Sequence, residues 1–279
     1  MKKITTFLFV ILAITSGFSQ EDEAETIGDN FSLEGALAMF KNAQSLEEFE
    51  KLLNEENNNV NNLDLNNDGD IDYITVADIQ EKDTHVIVLS TFLSETEKQD
   101  IATIGIEKTG NEEAQLQIIG DEDLYAENTI VEPFAVDEKE VKSKGPNPSD
   151  LIITQVIVNV WFWPSVRFLY APSYVVWVSP YRWGFYPRWW KPWRPFRHKV
   201  FYTRCAPHRI YYHRTPTHRV VVAHKVYKPM RKSSTLVVKN KRVTTVIHKN
   251  KRGNVKAVKT TRKANTRNNS VRVKSKGRR

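Results

Sequence analysis

Six oxygen-bearing side chains crowd into nine residues, five of them at alternate positions: Asp64, Asn66, Asp68, Asp70 and Asp72, with Asn67 and Gly69 among them. Side-chain oxygens at the first, third, fifth and ninth positions, with a glycine at the sixth for the tight turn, are what a hard cation such as calcium takes from a short loop. The twelfth position is Thr75, so the bidentate Glu of the helix-loop-helix form is missing. Residues 73–76, Tyr-Ile-Thr-Val, read instead as a strand. The competing reading is a metal-free turn in which Asp and Asn side chains bond their own backbone. Against it, five acids and amides with no nearby lysine would repel one another without a cation. A calcium ion here would be structural, tying the helices before the loop to the strand after it.

The Asp-x-Asn-x-Asp-Gly-x-x-Asp order of residues 64–72 resembles the calcium loops of secreted repeat proteins such as the integrin-like and propeller repeats. That resemblance implies as ligands Asp64, Asn66, Asp68, the backbone carbonyl of Asp70, and Asp72. It spans the loop alone and implies nothing about the overall fold.

The elements that must hold this loop are legible on either side. Ser32 is a cap for a helix with Leu33, Ala36, Leu37 and Phe40 on one face. Ser45 with Glu48 makes a capping box for a second helix carrying Leu46, Phe49, Leu52 and Leu53. After the loop come four strand-like stretches, residues 73–79, 85–92, 101–108 and 114–119, with turns at 81–83 and 109–111. Alternation is visible in the run from His85 to Leu89 and in residues 115–118. Two helices over an antiparallel meander make a small α+β domain at residues 32–120.

Charge divides the chain in two. All 33 carboxylates precede Leu151, and 31 of the 41 lysines and arginines follow it. From residue 21 to 150 the net charge is −25, and beyond it the charge is +31 with no acid at all. Such asymmetry points to charged partners, or to pairing of the halves with each other. The paired carboxylates of the first half scatter evenly over strand and loop positions, as a solvated acidic surface does, and nominate no acid–base couple. His85, the only histidine before His198, reads as a strand-edge residue, so no enzyme is expected.

The start of the chain reads as an export signal at residues 1–19. Lys2 and Lys3 are followed by an apolar run from residue 4 to 14, which is shorter than the roughly 20 residues that span a bilayer. Residues 20–31 are polar and acidic, a loose leader. Cys205 is the single cysteine, so no internal disulfide is available.

Residues 121–150 lose periodicity and read as a linker. All seven tryptophans then fall within residues 151–195. The first ten residues of that segment are β-prone, and Pro164, Pro172, Pro180 and Pro187 break its remainder into short strands and turns. Trp183, Arg188, Trp189, Trp190, Lys191, Trp193, Arg194 and Arg197 are the candidate ligand-binding residues, because rings beside guanidinium groups stack on sugars or bases and sit well at a membrane surface. The alternative is that these rings pack on the acidic domain or on one another.

Residues 196–255 carry a ten-residue period. His198, His208 and His218 each open a base-plus-β-prone segment, and residues 235–242 are echoed by 245–252, a pattern expected to give basic β repeats. Surrounding positive charge opposes a metal at the histidines. Residues 256–279 are expected to form a disordered basic tail.

The acidic Asp-loop domain, the Trp/Tyr/Pro segment and the basic tail together resemble a group of secreted bacterial envelope proteins. That resemblance covers most of the chain and implies an exported protein of the periplasm or cell envelope, without an activity. The expected fold class is an α+β N-terminal domain, a helical hairpin plus a four-stranded antiparallel meander, followed by a β-rich Pro/aromatic and basic repeat region. The expected partner is an anionic envelope polymer, lipopolysaccharide or an acidic glycan, or a membrane surface. Nucleic acid is less accessible to an exported chain. The second expectation is a structural protein whose basic half pairs with acidic domains within or between chains.

Overall fold

Ser32 and Ser45 start two helices through their side chains. In the computed structural model, which describes residues 26–126, 128–139, 152–228, 235–240, 243–249 and 255–261, helix α1 spans Leu33–Asn42 and helix α2 spans Leu46–Leu53. Ser32 Oγ accepts from Gly35 N at 2.9 Å and Ser45 Oγ from Glu48 N at 3.1 Å. The Glu48 carboxylate turns back to accept from Gln44 N at 2.7 Å. The apolar faces bury Leu33, Ala36, Leu37 and Phe40 of α1 and Leu46, Phe49 and Leu53 of α2. Each leucine and phenylalanine among them contributes roughly 1.5–3 kcal/mol of transfer free energy. Phe40 and Phe49 meet edge to face at 5.2 Å.

The meander comes next as β1 (Ile74–Glu81), β2 (Thr84–Phe92), β3 (Lys98–Gly110) and β4 (Glu113–Gly120), all antiparallel. Two-residue turns join β1 to β2 and β3 to β4, with Lys82 and Glu112 at positive φ. Ile87 and Leu89 of β2 join the core under the helices, and Val86 and Val88 belong to a second cluster on the opposite face. A strand covered on both faces reads as a continuous apolar run rather than a simple alternation. The fold is thus α+β around an antiparallel sheet.

That sheet continues past the meander. Strand β5 (Ile130–Lys139) pairs with β4 through Ile130 and Val131, with β6 (Ile152–Ile157) through residues 134–139, and with β7 (Tyr212–Thr215) through residues 130–133. Residues 130–139, expected as linker, are therefore a strand. Ile130 and Val131 are both fully buried, which erases the period that would have marked it. The leader also differs from expectation over residues 26–31, where Ile27–Asn30 form a 3-10 turn. Tyr125 closes over Gly28 and Gly120, where an added Cβ would lie 2.6 Å and 2.4 Å from its ring, and its hydroxyl donates to the Phe31 carbonyl at 3.1 Å. Residues 1–19, expected as an export signal, and residues 20–25 lie outside the described residues.

The Trp/Pro segment is not a string of strands. After β6 come helix α3 (Pro164–Leu169), opened by Pro164, and a largely irregular path. Trp163, Val166 and Leu169 join the main core. Nor do the first three ten-residue units form a ladder. They become helix α4 (His198–Arg204), a 3-10 turn (Ala206–Ile210), β7 and helix α5 (Val221–Val226). Their buried residues are spaced helically: Phe201 with Cys205, and Val220 with Ala223. That spacing, set by what the first half offers for packing, overrides the β propensity of the sequence. Strands β8 (Thr235–Asn240), β9 (Val243–Lys249) and β10 (Val255–Thr261) form a separate antiparallel sheet. Residues 256–261 of the expected tail lie in β10, and residues 262–279 fall outside the described residues.

Helix α5 seats Val220 and Ala223 on the β2–β3 face, where Gly105 leaves the space. A Cβ there would lie 2.8 Å from Ala223 Cβ and 3.0 Å from a Val220 methyl. Gly105→Ala is therefore expected to lower stability by about 1–3 kcal/mol, read as a lower urea midpoint. An unchanged midpoint would show that α5 is not held against Gly105.

Candidate functional site

The Asp loop closes on itself through its own acceptors. Asp64 takes Asp68 N at 3.1 Å and Gly69 N at 3.0 Å, Asn66 takes Asp68 N at 2.9 Å, and Asp68 takes Asp70 N at 2.9 Å. Asn67 and Gly69 adopt the left-handed backbone that such a turn requires. Asp64, Asn66, Asp68 and Asp70 stand at or near the surface, whereas Asp72 is buried and accepts from Leu65 N at 2.6 Å. Burial pushes the Asp72 carboxyl up to about 7, and the charges of Asp64 and Asp68 add to that. Burial likewise raises Asp64. Among the described residues no group of three or more His, Cys, Asp and Glu side chains is arranged to hold a metal. The loop is tied to the aromatic segment, since Ile71 N donates to the Trp193 carbonyl at 2.9 Å.

Residues 177–179 dock along the open edge of β1. Asp78 N donates to the Trp177 carbonyl at 2.8 Å, and Ser179 N donates to the Val76 carbonyl at 2.9 Å. Pro180, which has no N–H, ends this stretch. Here the segment reaches two buried acids. Asp78 Oδ2 accepts from the Tyr174 hydroxyl at 2.7 Å and lies 2.8 Å from His85 Nδ1. His85 is 0% exposed and packs edge-on against Tyr170 at 4.9 Å, so it is a core residue and not a strand-edge one.

Glu50 of α2 is 2% exposed. Its Oε1 accepts from the Tyr73 hydroxyl at 3.0 Å and from Ser179 Oγ at 2.8 Å, and its Oε2 accepts from Val76 N at 2.9 Å. Burial raises this carboxyl above its ordinary 4.5, outweighing those three hydrogen bonds. Beside it lies a cavity of about 270 Å³ lined by Ser45, Glu47, Glu48, Glu50, Lys51, Tyr73, Tyr181 and Trp189. Tyr73 forms its aromatic base, meeting Tyr181 at 5.6 Å, Tyr186 at 5.5 Å and Trp190 at 5.1 Å.

No family model, curated protein or solved structure matches the chain. What the site can do rests on its own geometry.

The candidate ligand-binding residues divide by placement. Trp190 is half-buried and spent on Tyr73 and Tyr186. Trp193 is half-buried, with its carbonyl on the Asp loop. Trp183 and Trp189 are exposed, and so are Arg188, Lys191, Arg194 and Arg197. Among them Trp189 alone borders the cavity, opposite the carboxylates of α2. Sequence reasoning missed Glu50, Tyr73 and Tyr181. The one signal for Glu50 was its position: it comes after Phe49 and sits four residues past Leu46, on the apolar face of α2, where an acid has to be paired. No helix among the described residues is long and apolar enough to cross a membrane.

The raised Glu50 carboxyl has a pH signature. The folded state holds this proton more tightly than the unfolded chain does, so the stability it contributes is full below pH 4.5 and is lost as pH rises through the raised folded value. Asp72 leans the same way, up to about 7. Glu50→Gln is expected to flatten the decline in urea midpoint between pH 4.5 and neutrality, with Asp72 leaving a residual slope. An identical slope in parent and variant would place the titration elsewhere.

Proposed function

We propose that this chain is a non-enzymatic, exported envelope protein that binds an anionic surface polymer, lipopolysaccharide or an acidic glycan, through its aromatic and basic segment. The observation that carries the reading is exposure. Arg182, Arg188, Lys191, Arg194, Arg197 and Arg204 are all exposed, and so are the rings of Trp183, Phe185, Trp189 and Tyr202 among them. Arg204 stacks on Phe196 at 4.0 Å and Arg182 on Phe185 at 5.3 Å, which presents flat guanidinium groups on aromatic supports. Such groups suit phosphate and carboxylate, which they can contact with two donors at once.

A second reading, pairing of the basic half with the acidic one, is supported within the chain by other bases. Arg219 Nε lies 3.1 Å from Glu132 Oε2, and Arg214 lies 3.7 Å from Asp29 and 3.6 Å from Glu34. The two readings use different residues and are compatible: bases at 214–219 secure the fold, and bases at 182–204 face outward partners.

Titration of the full chain with lipopolysaccharide at rising salt tests the polymer reading. Affinity is expected to fall steeply as contacts are screened. Combined Arg188→Ala, Arg194→Ala and Arg197→Ala is expected to weaken it about a hundredfold at low salt, at roughly 1 kcal/mol per base near an anionic surface. Absent or salt-insensitive binding sinks the proposal.

A structural calcium at Asp64, Asn66, Asp68, the Asp70 carbonyl and Asp72 belongs to the same proposal. Its support is the crowding of carboxylates: burial raises Asp72, the charges of Asp64 and Asp68 add to that, and a divalent cation would cancel this repulsion. Calcium is expected to bind with a dissociation constant on the order of 10⁻⁴–10⁻³ M and to raise the melting temperature, with Asp68→Ala abolishing both effects. No heat of binding and no thermal shift at millimolar calcium would remove the metal.

A further inference from the structure

The cavity beside Glu50 is chemically unlike the arginine-rich surface around it. Glu47, Glu48 and Glu50 line it against a single base, Lys51, so an anion would be repelled there. Among the described residues no lysine, arginine or histidine lies within ion-pair distance of Glu50, although that carboxylate is 2% exposed. A buried carboxylate held only by neutral donors gains from any cation that reaches the space beside it. Trp189 and Tyr181 add ring faces, and Lys51 Nζ already sits over the Trp189 ring at 5.9 Å. Lys51 is loosely held, since its other partner is Glu55 at 3.8 Å across an exposed pair of side chains.

We infer that this cavity binds an organic ammonium group, with Trp189 and Tyr181 as the aromatic walls, Glu47 and Glu50 as the counter-charge, and Lys51 as the resident cation that the ligand displaces. A volume of about 270 Å³ admits one small headgroup rather than a polymer chain. The ring faces supply cation–π attraction that a neutral group of the same shape does not receive. Burial raises the Glu50 carboxyl, and a cation beside it favours the ionised form. This assignment shares the Trp189 ring with the polymer reading but turns on the carboxylates of α2, whereas the polymer reading turns on the arginines and on the opposite charge.

The test compares choline with its uncharged isostere 3,3-dimethyl-1-butanol by calorimetry on the full chain. Choline is expected to saturate, and the neutral analogue to bind at least about fivefold more weakly, from a cation–π contribution on the order of 1 kcal/mol. Lys51→Met removes the competing cation and is expected to tighten choline severalfold, whereas Trp189→Ala is expected to abolish binding. Both substitutions lie on exposed side chains. Equal binding of the two probes, weaker choline binding by Lys51→Met, unchanged binding by Trp189→Ala, or no choline binding at tens of millimolar would each overturn the assignment.

Discussion

Buried carboxylates that need donors are the constraint on which this fold depends. Five acids of the N-terminal half accept from the acid-free half. Tyr174 donates to Asp78, Ser179 to Glu50, Arg219 to Glu132, the Ala223 amide to Glu107 at 2.9 Å, and Tyr227 to Asp100 at 2.5 Å. A buried acceptor left without its donor costs about 1–3 kcal/mol, more when it is charged. The sheet cannot be covered by apolar packing alone, and residues 170–227 are what complete it. Composition divides the chain at residue 150, but the core does not: Val160, Trp163, Val166, Leu169 and Tyr212 share a cluster with Phe40, Ile87 and Leu116.

The same contacts explain what could be read from the sequence. Caps at Ser32 and Ser45 and the four strands of the meander were legible because they are local: a hydroxyl three residues before an amide, an apolar stretch between turns. His85 was misplaced because its partner is Asp78, on the neighbouring strand, and its covering rings, Tyr170 and Tyr174, come from far along the chain. Strand β5 was invisible because both of its faces are buried at Ile130 and Val131. The ten-residue histidine units looked like strands because Val, Ile and Tyr favour strands in isolation. Phe201 and Cys205 fit the packing as one turn of helix, and tertiary burial decided the matter. Of the candidate site, the exposed arginines were legible from composition. The Glu50 cavity was not, since its walls come from Ser45 and α2, from Tyr73 just before β1, and from Tyr181 and Trp189.

Charge segregation therefore serves two ends at different places. Where the bases meet buried acids, at Arg214 and Arg219, they close the fold. Between residues 182 and 204, arginines share an exposed surface with aromatic rings. An acid-free second half suits both uses, because a carboxylate of its own would compete for the arginines or need a further buried donor.

The donors that complete the sheet lie roughly a hundred residues downstream of some of their acceptors, as with Glu107 and Ala223. Contacts of such long sequence separation form late and slow folding. A chain that emerges from its N-terminus presents β1 to β4 before residues 170–227 arrive, with Asp78, Asp100 and Glu107 beside their nearer partners His85, Ser90 and Gln115. On the proposed export route, where a polypeptide threads a membrane pore unfolded, those five acceptors meet their distant donors only once residues 170–227 have followed them through.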